Sequence, residues 1–189
     1  SPAALPANTY CSTVRDNQAA NFDGGGVVVA AGSQATIAHT AFFSNTAAAG
    51  AALLVDGGNV TLHDALLAQN AIITPCASVV RVTLGDEVTG TVFLTMTQVT
   101  VASNGAQALA YGSGTLGAFT NNVVWANTAR GSLAAGMVAA CNDTQGGALA
   151  GSGNISADPL FSSTARGGDR LREASPAVDA CASGDSPDL

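Results

Sequence analysis

Apolar and polar residues alternate along this chain in short bursts. Ala35 and Ile37 flank Thr36, Val60 and Leu62 flank Thr61, and Leu94 and Met96 flank Thr95. A period of two puts the flanking residues on one face and the Thr on the other, the pattern of a strand with one buried side. A second kind of apolar run leads into glycine, as GVVVAAG (26–32), AALLVDG (51–57) and ASVVRVTLG (77–85). A third is the apolar pair just ahead of an asparagine, as in Phe42-Phe43, Leu66-Leu67 and Val123-Val124. Leu-rich heptads are missing, so strands rather than helices are predicted.

These bursts recur. Asparagine follows small or apolar residues at Asn17, Asn45, Asn70, Asn104 and Asn127, with successive spacings of 28, 25, 34 and 23 residues. Counting back from the asparagines brings other positions into phase. Nine residues earlier lie Thr36, Thr61, Thr95 and Ala118; six earlier lie His39, Asp64, Gln98 and Asn121; thirteen earlier lie Gly32, Gly57 and Gly114. A repeat of this length makes one supersecondary unit that buries its apolar face by stacking on its neighbours. Three short strands per turn, joined by Gly and Asn where the backbone bends, describe an all-β, right-handed, three-sided parallel β-helix of about five coils. Asn45, Asn70, Asn104 and Asn127 are then expected to stack as a ladder of amides that bond one another and the bend backbone. Domain organisation follows: one domain, with an N-terminal segment (1–16), coils (17–158) and a C-terminal capping segment (159–189).

Composition narrows the partners. Thirteen acids face six Arg and no Lys, for a net charge of −7, so nucleic acid and anionic membranes, which need clustered positive charge, are poor partners. No apolar run is long enough to span a bilayer, and the opening SPAALPANTY lacks the regions of a signal peptide. Cys11, Cys76, Cys141 and Cys181 form an even set without C-x-x-C spacing, which disfavours zinc and suits two disulfides in an oxidising compartment. Three pairings exist. Cys11–Cys76 with Cys141–Cys181 would join each chain end to the body, but spacing does not decide, and four buried thiols are the plainer alternative.

The stretch GGGVVVAAGSQATIAHTAFFSNTAAAGAALLVDGGNVTLHDALLAQN resembles the repeats of bacterial pectin-lyase-like parallel β-helix proteins, including the polymorphic outer-membrane protein type. The later NISADPLFSS and GGDRLREASPAVDACASG are similar to the closing segment of secreted choice-of-anchor Q β-helix proteins. That resemblance implies a terminal strand or loop folding over the last coil, with Leu160, Phe161, Leu171 and Val178 as plugging residues. It also implies a secreted or cell-surface location. Members usually run for more coils, so a chain of about five reads as a minimal member or an excised terminal portion.

Pectin-lyase-like enzymes use acidic residues, sometimes with calcium, and an Arg or Lys base; no such motif is matched residue by residue, so no catalytic role is carried over. Three constellations remain. The coil of 34 residues against the 25 of the one before carries its extra length around LGDEVTG (84–90). Arg81, Asp86 and Glu87, with Asp56 from the previous coil, would there hold a sugar or a calcium ion, or form an ordinary solvated turn. His39 stands one coil from Asp64, with His63 adjacent, an arrangement that would orient a general base or continue as an outward polar stack through Gln98 and Asn121. Thr36, Thr61 and Thr95 form an outward file, too short to match an ice or polysaccharide lattice. The expected function is therefore a structural or adhesive module with weak carbohydrate binding, its partners a glycan or another cell-surface protein. No cofactor beyond calcium is expected. The alternative is a polysaccharide lyase or glycoside hydrolase acting on an acidic glycan.

Overall fold

The computed structural model describes residues 12–75, 77–85, 90–162, 170–178 and 181. Among them are strands and no helix, and every strand pair is parallel, in a solenoid of about five turns. Each turn visits three sides. The first side stacks Gln34–Ala38, residues 59–63 and 92–97, Thr115–Thr120 and Gly136–Ala140. The second stacks Ser12–Arg15, Thr40–Phe43, residues 65–68 and 99–102, Val123–Trp125 and Asp143–Thr144. The third stacks Val27–Ala30, Leu53–Asp56, Ser78–Thr83, Gln107–Tyr111 and Ala129–Gly131. Two-residue strands Gln18–Ala19, Thr46–Ala47 and Ala71–Ile72 pair where the chain leaves the second side.

The alternation read from the sequence is what fills the core. Ile37, Leu62, Met96, Phe119 and Ala139 stand in one register file on the first side, and Phe42, Leu67, Val101 and Val124 in another on the second. Leu62, Met96, Phe119, Leu67 and Val124 are fully buried, and Val60 nearly so. Ile37 is only partly buried, because it lies in the first coil, where nothing described stacks below it. Thr36 and Thr61 face outward in register, with Thr95 half-buried beside them.

Bends are made by residues in the left-handed region. At the corner between the first and second sides these are His39, Asp64, Gln98, Asn121 and Cys141, with φ between 47° and 59°. At the corner after the second side they are Asp16, Ser44, Gln69, Ser103 and Ala126. A left-handed non-glycine residue costs about 1–2 kcal/mol, so something must hold each bend. At the second of these corners it is the predicted amide ladder. Asn17, Asn45, Asn70 and Asn104 each donate Nδ2 to Oδ1 of the next asparagine at 2.8–3.1 Å, ending at Asn127. Each Oδ1 also accepts the backbone N–H of the asparagine one coil earlier. Nδ2 reaches back to the carbonyls of Val14, Phe42, Leu67 and Val101 from Asn45, Asn70, Asn104 and Asn127.

At the C-terminal end one of the four expected plugging residues is exposed and three are half-buried. Leu133, Met137 and Leu149 pack on the last part of the core. Leu160 is exposed in a left-handed conformation, and Phe161 and Leu171 pair through an antiparallel bridge at half burial, as Val178 is half-buried. The final turn is short, with a sequence separation of 12 between Asn142 and Asn154. Cys141 is bonded to Cys181, tying the closing segment to the last bend as that pairing anticipated. Cys11 and Cys76 lie outside the described residues.

Candidate functional site

Three of the sequence candidates, His39, His63 and Asp64, converge at the corner between the first and second sides. His39 and Asp64 occupy the same bend position in successive coils, and His63 is the last residue of its strand before that bend. His and Asp tolerate left-handed φ better than most side chains, which is why these types suit the corner. His63 Nδ1 donates to Asp64 Oδ2 at 2.8 Å, and His39 Nδ1 stands 3.9 Å from the same oxygen. The two rings are 5.7 Å apart, edge to face at 80°. A carboxylate oxygen accepts, so the contact is the one made by the tautomer with its proton on Nδ1. The side chains of His39, His63 and Asp64 are 58%, 33% and 28% exposed, a surface corner rather than a cleft.

Of the second candidate set, Arg81 and Asp56 lie on neighbouring strands of the third side. Arg81 lies on the third side, in register with Leu54 and Ala110 and half-buried. Asp56 accepts a 2.6 Å hydrogen bond from Thr83 Oγ1, one coil on, and makes no ion pair with Arg81 among the described residues. Asp86 and Glu87 lie outside the described residues.

Polar residues that the sequence reading missed line the first of the two corners in the later coils. Asn122 donates to Asn142 Oδ1 at 3.0 Å and Asn142 to Asn154 Oδ1 at 2.8 Å, and Val99 N–H donates to Asn122 Oδ1. This is a second amide ladder. Its spacings of 20 and 12 residues fall short of the other ladder's 23 to 34, and the only signal was the doublet Asn121-Asn122. Beside it Asp143 is 2% exposed: its Oδ1 accepts Ala157 N–H, while Oδ2 has no partner. Desolvation by burial raises its pKa above the ordinary value, and nearby Asp158 adds to the rise against the Ala157 hydrogen bond. In the core, burial likewise pushes the Tyr111 hydroxyl up, and its O–H donates to Met96 Sδ at 3.7 Å.

A cavity of about 430 Å³ opens at the N-terminal end of the core, walled by Val14, Val27, Val29, Ile37 and Phe42. Among the described residues no group of three or more His, Cys, Asp or Glu side chains is gathered for a metal ion, and no helix is long and apolar enough to cross a membrane. Comparison with protein-family models, with characterised proteins and with solved structures finds no match. The architecture is thus the parallel β-helix that the repeat pattern predicts.

Proposed function

We propose that this chain is a secreted or cell-surface β-helix module of the pectin-lyase-like kind, with a structural or adhesive role and a weak hold on carbohydrate. The observation that carries the reading is where its buried polar groups are engaged. The asparagines of both ladders bond other coils and bend carbonyls, so their donors and acceptors serve cohesion along the axis. The Cys141–Cys181 bond supports an oxidising compartment. A rod whose buried asparagines are engaged from coil to coil is suited to displaying its outer faces to a glycan or to another surface protein.

A second reading, a polysaccharide lyase or glycoside hydrolase, draws on the His63 imidazole oriented by Asp64 at 2.8 Å. Such an enzyme would need paired carboxylates or a metal-linked acid set beside its base. A glycan array followed by turnover assays on polyuronides, with and without calcium, separates the two. Retention of a glycan with no product supports the module. Product formation that is lost in His63→Gln establishes the enzyme instead.

A further inference from the structure

We infer that the outer face of the first side is a docking surface for the flat surface of an uncharged polysaccharide, an inference that rests on the carbohydrate-holding reading above and names its ligand class. The file Thr36, Thr61 and Thr95 is short by itself, but in register it continues through Ala118 to Val138. On one flank Phe93 and Leu116 are register partners, 48% and 36% exposed, and Val138 in the central file is 67% exposed. On the other flank Thr97 and Thr120 are partners, their hydroxyls 3.2 Å apart. An apolar patch therefore lies beside rows of hydroxyls on one sheet face.

Two details keep this surface level and fixed. Gly136 is the register partner of Leu116, and a Cβ there would collide with the Leu116 side chain, so the glycine lets that leucine lie along the sheet. Asn59 Oδ1 accepts the Phe93 N–H at 2.9 Å, tying the aromatic residue to the coil before. Charge then selects the occupant. No Asp, Glu or Arg takes a position in these outward files, whereas the third side carries Asp56 and Arg81, and Asp64 at the bend is engaged by His63. A chain of net charge −7 with no cation on this face repels a polyuronide. A neutral sugar ring suits it, because its apolar C–H face covers an aromatic or aliphatic side chain while its hydroxyls exchange hydrogen bonds with Thr, which both donates and accepts. Five strands about 4.8 Å apart, each with three outward residues about 6.7 Å apart, span about 19 Å by about 13 Å. That is about 250 Å² per copy, well short of the about 800 Å² per partner of a standard protein interface, which argues against a second copy. A polymer surface offers the same small contact repeatedly, so a weak hold is retained.

The test is depletion of the tag-free chain onto microcrystalline cellulose, chitin and insoluble β-1,3-glucan, set beside soluble polygalacturonate, with sedimentation of the free chain to read its oligomeric state. Expected is saturable retention on at least one neutral solid, unchanged from low salt to about 0.5 M NaCl. Phe93→Ala should weaken retention about tenfold, and Val138→Asp and Thr61→Arg at least as much. Ile73→Asp, exposed where the chain has left the second side, should leave it unchanged. Retention unaltered in all three face variants, or binding to polygalacturonate alone, would overturn this assignment and leave the carbohydrate-holding module standing. No retention on any of the four glycans would overturn both. A dimer of the free chain that Val138→Asp abolishes would give the face to a second copy and overturn the proposal. Should one face variant lose its cooperative melt, the other two decide.

Discussion

At the corner after the second side an asparagine stands in every coil from Asn17 to Asn127, whereas at the corner between the first and second sides the occupant changes along the axis. There it is Thr40, then Ala65 and Val99, then Asn122 and Asn142. Both corners turn on a left-handed residue, so the turn alone does not require an amide. The difference follows the strands. Asn59–Ala68 and Val92–Ala102 run through the bend without a break, and there the occupant is apolar and buried, Ala65 and Val99. Where the strand is interrupted, between Gln34–Ala38 and Thr40–Phe43, Thr115–Thr120 and Val123–Trp125, or Gly136–Ala140 and Asp143–Thr144, the occupant is polar and bonds the backbone. Where the strand is broken the bend carbonyls take a side-chain donor from the occupant itself; where it is unbroken the occupant fills the core, and at Val99 the backbone N–H takes its acceptor from Asn122 one coil on.

The largest blow to this comparison should come from Asn70→Ala. It strips the acceptor from the Asn45 backbone and side chain and leaves the Phe42 and Ala68 carbonyls without their Nδ2 donor. With about 1–3 kcal/mol for each buried group left unsatisfied, a loss of about 3–6 kcal/mol in chemical denaturation is expected. A loss below about 1 kcal/mol would mean that the ladder is ornamental.

Removing the covalent tie by Cys141→Ala with Cys181→Ala should rank next. A bond across 40 residues of sequence restricts the unfolded chain by up to about 4 kcal/mol. Hydrogen exchange should show the last turn opening before residues 59–68 do; uniform loosening along the axis would contradict the division into regions.

Val99→Asn sharpens the comparison from the other side, by placing an amide where the strand is unbroken. The new group could meet Asn122, yet its remaining polar atoms enter the core, so a cost of about 1–3 kcal/mol is expected. Stabilisation would show that strand continuity does not choose the occupant.

Asp143→Asn has a smaller effect of opposite sign. Because burial raises the folded-state pKa, the folded chain holds this proton to higher pH than the unfolded chain. The stability it contributes is complete below the unfolded pKa and is lost as pH rises through the folded value. The variant should therefore melt above the native chain at pH 7, and the gap should narrow toward pH 4. Thr61→Ala, on the outer face, should change stability by less than about 0.5 kcal/mol.

The coil plan and the first ladder were legible because their signals repeat in nearly every turn, with the bend position six residues ahead of each asparagine. That offset also placed His39 beside Asp64. The second ladder was hidden because its members occur only in shortened coils, and because Asn121, the bend residue, masked Asn122, the bonded one. Of the expected plugging side chains only Leu160 proves exposed; it takes a left-handed bend conformation, for which a leucine gives no sequence signal. Asp143 carries no signal of its burial, since an aspartate between Asn142 and Thr144 reads as a loop.

The amide ladder has a direction. Every Nδ2 points toward the next coil's Oδ1, from Asn17 to Asn127, so the amide dipoles align head to tail and polarise one another as a hydrogen-bonded chain does. One end of the column presents a carbonyl oxygen on the exposed Asn17, and the other directs its final donors into the Val101 and Trp125 carbonyls. A whole coil inserted or removed between two asparagines preserves this vector whatever its length, whereas a coil entering in reverse would set donor against donor. Lengthening by duplication is thereby compatible with the column, and inversion is not.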